Sequence, residues 1–257
     1  MSEFGSPSHC LAAALLLLVA LPGLAQQAPE PEPYDLLRQA DAARHALTEG
    51  VMRVRALVRE RDQPPVESEL DVYVQGEDRV LCVFRTGKFQ DRRILIREDL
   101  GKVWLLAPGT SRAIPITANQ TLLGGASIAD VARRQLSGHY DAVLRPEPDL
   151  VDGVVCRVLD LVARSPKTTY AFAVWWIGER DGLPRKALLS LRSGKESKEI
   201  RFLEYDANES GPRLRRMEID HLLRMERGMV TTLEILDYED RALDSRIFDR
   251  EGARQIP

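Results

Sequence analysis

Residues 79–108 read RVLCVFRTGKFQDRRILIREDLGKVWLLAP, and within them three apolar runs, 79–85, 92–98 and 102–108, are separated only by short turns. The runs are rich in Val, Leu, Ile and Phe, which fit a pleated surface better than a helix. Gly87 and Asp99-Leu100-Gly101 stand between them and supply tight reversals. Neighbouring antiparallel strands follow. All three runs are apolar on both faces, which places them near the centre of a sheet.

The period of two continues on either side. Upstream, Met52, Val54, Ala56 and Val58 oppose Arg53, Arg55 and Arg59, while Leu70, Val72 and Val74 oppose Glu69, Asp71, Tyr73 and Gln75. Downstream, the pattern predicts strands over 139–145, 154–163, 168–177, 184–191, 198–205, 213–223 and 229–238. So many short strands make the fold α+β and mostly antiparallel β. A sheet of this size curls, because a flat one leaves a long apolar face in water. The expected architecture is a curled, incomplete β-barrel, a half-barrel.

Two helices are available to cover its concave face. Leu36, Leu37, Ala40, Ala43 and Leu47 recur at helical spacing over residues 34–47, and the pattern stops at Gly50. A second, lid helix is predicted at about 125–136, capped by Ser127 and carrying Ile128, Val131 and Leu136 on one side. Gly124-Gly125 before it read as a hinge or turn. Two helices are too few to fill a concave face tightly, which argues for a cavity. The competing architecture is a closed barrel filled by its own side chains.

The organisation of the 257 residues is simple. Residues 1–25 read as a signal peptide: the apolar run CLAAALLLLVAL (10–21) is stopped by Pro22-Gly23, short of the ~20 residues of a membrane span, and small residues flank a cut after Ala25. The leading MSEFGSPSH has no Lys or Arg. Residues 26–33 (QQAPEPEP) are a Pro-rich linker and 34–257 a single domain. Without residues 1–25, which carry only Glu3, 38 acidic residues face 36 basic ones. That balance gives no general attraction to nucleic acid. Cys82 and Cys156 fall in predicted strands and read as buried, unpaired core residues, with a disulfide as the alternative.

Catalytic patterns are missing. His45, His139 and His221 are far apart in sequence, and there is no HExxH, CxxC, GxSxG or P-loop, so no catalytic residue, metal or cofactor is expected. Arg213, Arg215 and Arg216 alternate with Glu218 and Asp220 as a solvated strand surface, and Trp175-Trp176 puts one indole on each face of its strand.

Taken in order, YDLLRQADAAR (34–44), RILIREDLGKVWLLAPGTSRAIPI (93–116), LLGGASIADV (122–131), YAFAVWWIGERDGLPRKALLSLRSGK (170–195) and GMVTTLEILDYEDRALDSRIFD (228–249) resemble the LolA-like outer-membrane lipoprotein-sorting proteins. The resemblance spans residues 34–251 and rests on the joined pattern: Gly101-x-x-Trp104 then Pro108, Leu-Gly-Gly-x-Ser at the lid, and a Thr232-containing last strand followed by Leu243 and Phe248. It implies an incomplete barrel with a lid, in the periplasm of a Gram-negative bacterium. The implied function is a carrier of lipid or lipoprotein acyl chains, with an inner-membrane transporter and an outer-membrane acceptor as partners. The implied cavity lining is the inward face of the sheet and the lid: Leu70, Val72, Phe84, Ile94, Ile96, Trp104, Leu122, Ile128, Phe172, Val174 and Met217.

One position departs from the family. Its carriers have a basic residue followed by Pro at the end of the second strand, where it helps hold the lid closed; this chain has Gln75-Gly76. A wider branch that serves lipid export resembles the chain better. Two other functions compete with a carrier: an envelope sensor of the same fold, recognising lipid or misfolded outer-membrane peptides, and a lipid hydrolase, for which no nucleophile and base are in view.

Overall fold

The alternating segments form sixteen strands in a computed structural model that describes residues 32–44, 47–117, 120–127, 130, 136–208, 211–223 and 228–257. The first six are β1 (Glu49–Arg59), β2 (Val66–Gln75), β3 (Arg79–Phe84), β4 (Arg93–Arg97), β5 (Lys102–Leu106) and β6 (Ala113–Ile116). A short hairpin follows, β7 (Thr121–Leu123) and β8 (Ala126–Ser127), then β9 (Tyr140–Leu144), β10 (Asp149–Val151), β11 (Val154–Ala163) and β12 (Phe172–Gly178). The last four are β13 (Pro184–Ser190), β14 (Glu196–Asn208), β15 (Gly211–His221) and β16 (Val230–Asp240).

Fourteen strands make one antiparallel sheet, in which β1 and β16 pair at the middle. From there the chain meanders outward to β6 on one side and through β15 to β11 on the other. β9 and β10 follow one another along the free edge of β11. The edges do not meet, so the sheet is an incomplete barrel. Register shifts at Arg53/Val54, Trp176/Ile177, Leu189/Ser190 and twice between Phe202 and Tyr205 sharpen its curl, since an extra residue on one strand bends it.

Helix α1 (Pro33–Arg44) opens on a proline, whose missing N–H costs nothing in a first turn, and buries Leu36, Leu37, Ala40 and Ala43. Pro33 is thus the first helical residue rather than the end of the linker. The expected lid helix does not include Ala126 and Ser127, which belong to the β7–β8 hairpin. Asp130 is helical; residues 128–129 and 131–135, with Ile128 and Val131, lie outside the described residues, as do residues 1–25, where a signal peptide is expected, and 26–31 of the expected linker.

The sheet has two apolar faces with different covers. Its concave face gathers Val54, Ala56, Leu70, Val72, Phe84, Trp175, Phe202, Leu233 and others into one core with α1 and the lid residues Leu122, Leu123, Ala126 and Leu136. On the convex face Tyr73, Leu81, Val83, Leu95 and Leu106 pack under Leu243, Phe248 and Ala253 of the C-terminal segment. This corrects the placement of 79–108. β3, β4 and β5 run toward the β6 edge rather than through the centre, and they are apolar on both faces because that segment straps the outside.

Candidate functional site

The concave wall leaves a cavity of about 70 Å³, lined by residues of β1, β2, β14, β15 and β16 together with Leu122, Leu123 and Ala126 of the hairpin. Two charged side chains, Arg44 and Asp130, share that lining. The rest is aliphatic or aromatic, Val54, Val72, Phe202 and Leu233 among them.

Each charge has a reason to be there. Asp130 follows Ser127 at capping-box spacing and accepts the Ser127 backbone N–H at 2.6 Å. It also accepts the Tyr170 hydroxyl at 2.8 Å and is ion-paired with Lys198, both groups being buried. Lys198 precedes Ile200 and Phe202 on the inward face of β14, and burial lowers its pKa while Asp130 opposes the shift. Burial likewise raises the Tyr170 hydroxyl well above its ordinary value.

A second carboxylate sits at the far end of the lid segment. Asp41 of α1 accepts the backbone N–H of Leu136 at 3.0 and 2.9 Å and of Ser137 at 3.0 Å. Arg44 lies one turn on, 3.6 Å from Asp41, with its guanidinium stacked 4.9 Å above the Trp175 ring. Burial raises the Asp41 pKa, against the lowering effect of Arg44 and of the two N–H donors. The indole N–H of Trp175 is buried without an acceptor among the described residues. Buried carboxylates therefore hold the backbone of Ser127 on one side and of Leu136 and Ser137 on the other.

The hairpin is fastened more locally. Gly124 has φ +53°, and a Cβ there would stand 2.5 Å from Thr231 Oγ1 and 2.6 Å from Val58 Cγ1. Thr231 also accepts the Gly125 N–H at 2.8 Å. Gly124→Ala is expected to destabilise the protein by roughly 1–3 kcal/mol, from left-handed backbone and overpacking together. Urea unfolding measures the loss, and amide exchange should find Gly125 deprotected ahead of the sheet.

Of the lining candidates read from the sequence, Leu70, Val72, Phe84, Ile94, Ile96 and Leu122 come together in the concave core, and Met217 packs against it. Leu70, Val72, Leu122 and Met217 reach the cavity. Trp104, Phe172 and Val174 do not: Trp104 pairs with Leu95 and lies under the C-terminal strap, while Val174 packs with Val158 and Trp176 outside and Phe172 is exposed. On β12 the inward residues are Ala173, Trp175 and Ile177. Ile128 lies outside the described residues.

Residues 76–252 match a family model described as "Uncharacterized protein". By fold, the chain is similar to a LolA superfamily protein from Nitrosomonas europaea, with a TM-score of 0.77 and 22% identity over 87% of this chain and 100% of that one. A DUF1329 family protein from Desulfovibrio piger gives 0.73 and 16% identity, covering 86% and 97%. A Vibrio parahaemolyticus domain assigned to outer membrane lipoprotein sorting gives 0.73 and 15%, covering 86% and 98%. The chain belongs to the matched family, and its fold is LolA-like. A search of curated proteins finds no match.

In this LolA-like half-barrel Gln75 is engaged at the outer strap. Its amide donates to Glu49 at 2.9 Å and to the Leu243 carbonyl at 3.1 Å, and its oxygen accepts from Arg79 at 2.8 Å, so it ties the sheet to the outer strap. The two cysteines among the described residues are free and on opposite faces, Cys82 in the concave core with its thiol pushed up to about 12 by burial, Cys156 on the convex side. Among the described residues no three His, Cys, Asp or Glu side chains are placed to hold a metal, and no helix is long and apolar enough to cross a membrane.

Proposed function

We propose that this chain is a non-catalytic periplasmic carrier, exported by residues 1–25 as a single domain over 34–257. It receives the acyl chains of a lipid or lipoprotein on its concave wall and shuttles them between the inner and outer membranes. An inner-membrane transporter would load it and an outer-membrane acceptor unload it. The observation that carries this reading is the wall itself: an unclosed sheet whose apolar inner face is covered, among the described residues, chiefly by α1 and by Leu122, Leu123, Ala126 and Leu136. A sixteen-carbon chain resists leaving a bilayer by about 12 kcal/mol, and an apolar wall of this kind offsets that cost.

The cavity is small. Its 70 Å³ is well below the ~300–1,000 Å³ of ordinary ligand pockets, so loading requires the wall and its cover to separate. Native mass spectrometry and organic extraction of protein purified from its own envelope test the proposal. Co-purifying acyl lipid is expected. Protein that carries none, and that takes up no acyl chain when mixed with lipid vesicles, would overturn it.

A further inference from the structure

The C-terminal strap covers one part of the convex face, over β3–β5. On β11–β13 the outward row packs Cys156, Val158 and Trp176 among Val174 and Leu188, but at one end of those strands it runs out into water. Val162 and Phe172 are cross-strand partners there, 48% and 41% exposed. A ring left in water beside a second apolar side chain marks a surface that something else can cover.

Cations stand around this pair. The hairpin that joins the two residues carries Lys167, and the next hairpin, entered through Ser190, the partner of Phe172, carries Arg192 and Lys195. All three are exposed, and none is in an ion pair among the described residues. Residues 164–171 and 191–195 contain no Asp or Glu. Arg164 is the exception among the cations, since Asp141 holds it at 2.8 Å.

The sign continues along this end of the sheet. Antiparallel order brings the β3–β4 and β5–β6 connections to the same end, where they add the exposed Lys88 and Arg112. The β1–β2 loop, with Glu60, Arg61 and Asp62, is mixed. Turns at the opposite end carry Glu77-Asp78, Glu98-Asp99 and Asp152. A chain with 36 basic and 39 acidic residues is thus electrically polar along its strands, and a negative surface attracts one end while repelling the other.

We propose that this basic end docks on a bilayer surface bearing anionic phospholipid, with Phe172 as the apolar anchor and Lys167, Arg192 and Lys195 on the phosphates. Long cations on two hairpin tips follow mobile headgroups without a matched shape, and an exposed ring between them reaches the acyl boundary. The dock stands whether or not the cavity takes an acyl chain, so it fails separately from the carrier reading.

Protein purified from its own envelope is sedimented with vesicles of phosphatidylcholine, with and without phosphatidylglycerol. Each cation close to an anionic surface adds about fivefold to affinity at low ionic strength. The wild type should therefore bind the phosphatidylglycerol vesicles about tenfold or more tighter, and the preference should fade as salt is raised. Lys167→Glu combined with Arg192→Glu and Lys195→Glu should erase it at an unchanged melting temperature. In Phe172→Trp the added indole should be quenched by bromine-labelled phosphatidylglycerol. Equal affinity for the two vesicles, binding to neither, a preference that the triple reversal leaves intact, or an indole that bromine leaves unquenched would overturn the dock. Vesicles left unbound while the same reversals abolish self-association would assign the cations to a second copy and overturn it too.

Discussion

Asp41→Ala is expected to destabilise the protein by about 3–5 kcal/mol, the cost of breaking a buried charged contact. The carboxylate holds the backbone N–H groups of Leu136 and Ser137 and stands 3.6 Å from Arg44. Alanine removes all of these contacts at once. Asp41→Asn keeps an acceptor at the same place and should cost about 1–2 kcal/mol. The two variants also separate by pH. Burial raises the folded pKa of Asp41 above its unfolded value, so the folded state binds more protons in that interval. The protonation-linked part of this group's contribution to stability is fully present below the unfolded pKa of about 3.9 and is lost as pH rises through the folded value, while the hydrogen bonds to Leu136 and Ser137 remain. Asp41→Asn should abolish that fall. Urea unfolding between about pH 3.5 and 7 measures both effects as shifts of the midpoint at constant slope. An alanine variant within about 1 kcal/mol of the wild type would mean that the α1–lid clamp is open in solution.

The outline of the half-barrel was legible because alternation and turn chemistry are local. β11 occupies Val154–Ala163, the bounds its pattern predicts, and the turn at Gly182 separates β12 from β13 where expected. Which face each residue takes is not local. Trp104 was assigned inward with Ile94 and Ile96, yet its cross-strand partner is Leu95, so the register puts it outside. Phe172 and Val174 miss by one residue, on a strand whose pairing shifts at Trp176/Ile177. Double-faced hydrophobicity in β3–β5 suggested a central position, but a cover supplied from far along the chain produces the same pattern.

The buried charges left a trace that composition hides. Lys198 is in phase with Ile200 and Phe202, and Asp41 and Arg44 continue the stripe of Leu37 and Ala40 on α1. A charged residue in step with an apolar row is either a snorkelling edge residue or a buried partner, and only the tertiary arrangement decides between them. Ser127 and Asp130 were the more readable pair, since their spacing alone predicts that the acid reaches back to the backbone. The diversion of that same acid to Lys198 depends on β14 arriving from 68 residues away.

Phe248→Ala should cost about 3–5 kcal/mol, as for other fully buried aromatic truncations, and lower the melting temperature by about 6–20 °C. Phe248 is 0% exposed, and it seals the outer faces of β3–β5 together with Leu243 and Ala253. The strap around it is held by arginines of the strands it covers: Arg97 donates to the Phe248 carbonyl at 3.3 Å and Arg93 to that of Ile256 at 2.7 Å. Removing the ring leaves those hydrogen bonds in place but withdraws the apolar contact that holds the segment down, so dye binding to the newly exposed Leu81, Val83 and Leu95 should rise with temperature well before the sheet unfolds. Affinity for an acyl ligand at low temperature should not change, because the cavity lies on the opposite face. That contrast divides the two apolar surfaces by role: truncation on the concave wall should weaken ligand binding, whereas truncation on the convex face should weaken only the fold. A Phe248→Ala protein that is stable yet binds ligand poorly would show that strap and wall are coupled through the strands between them.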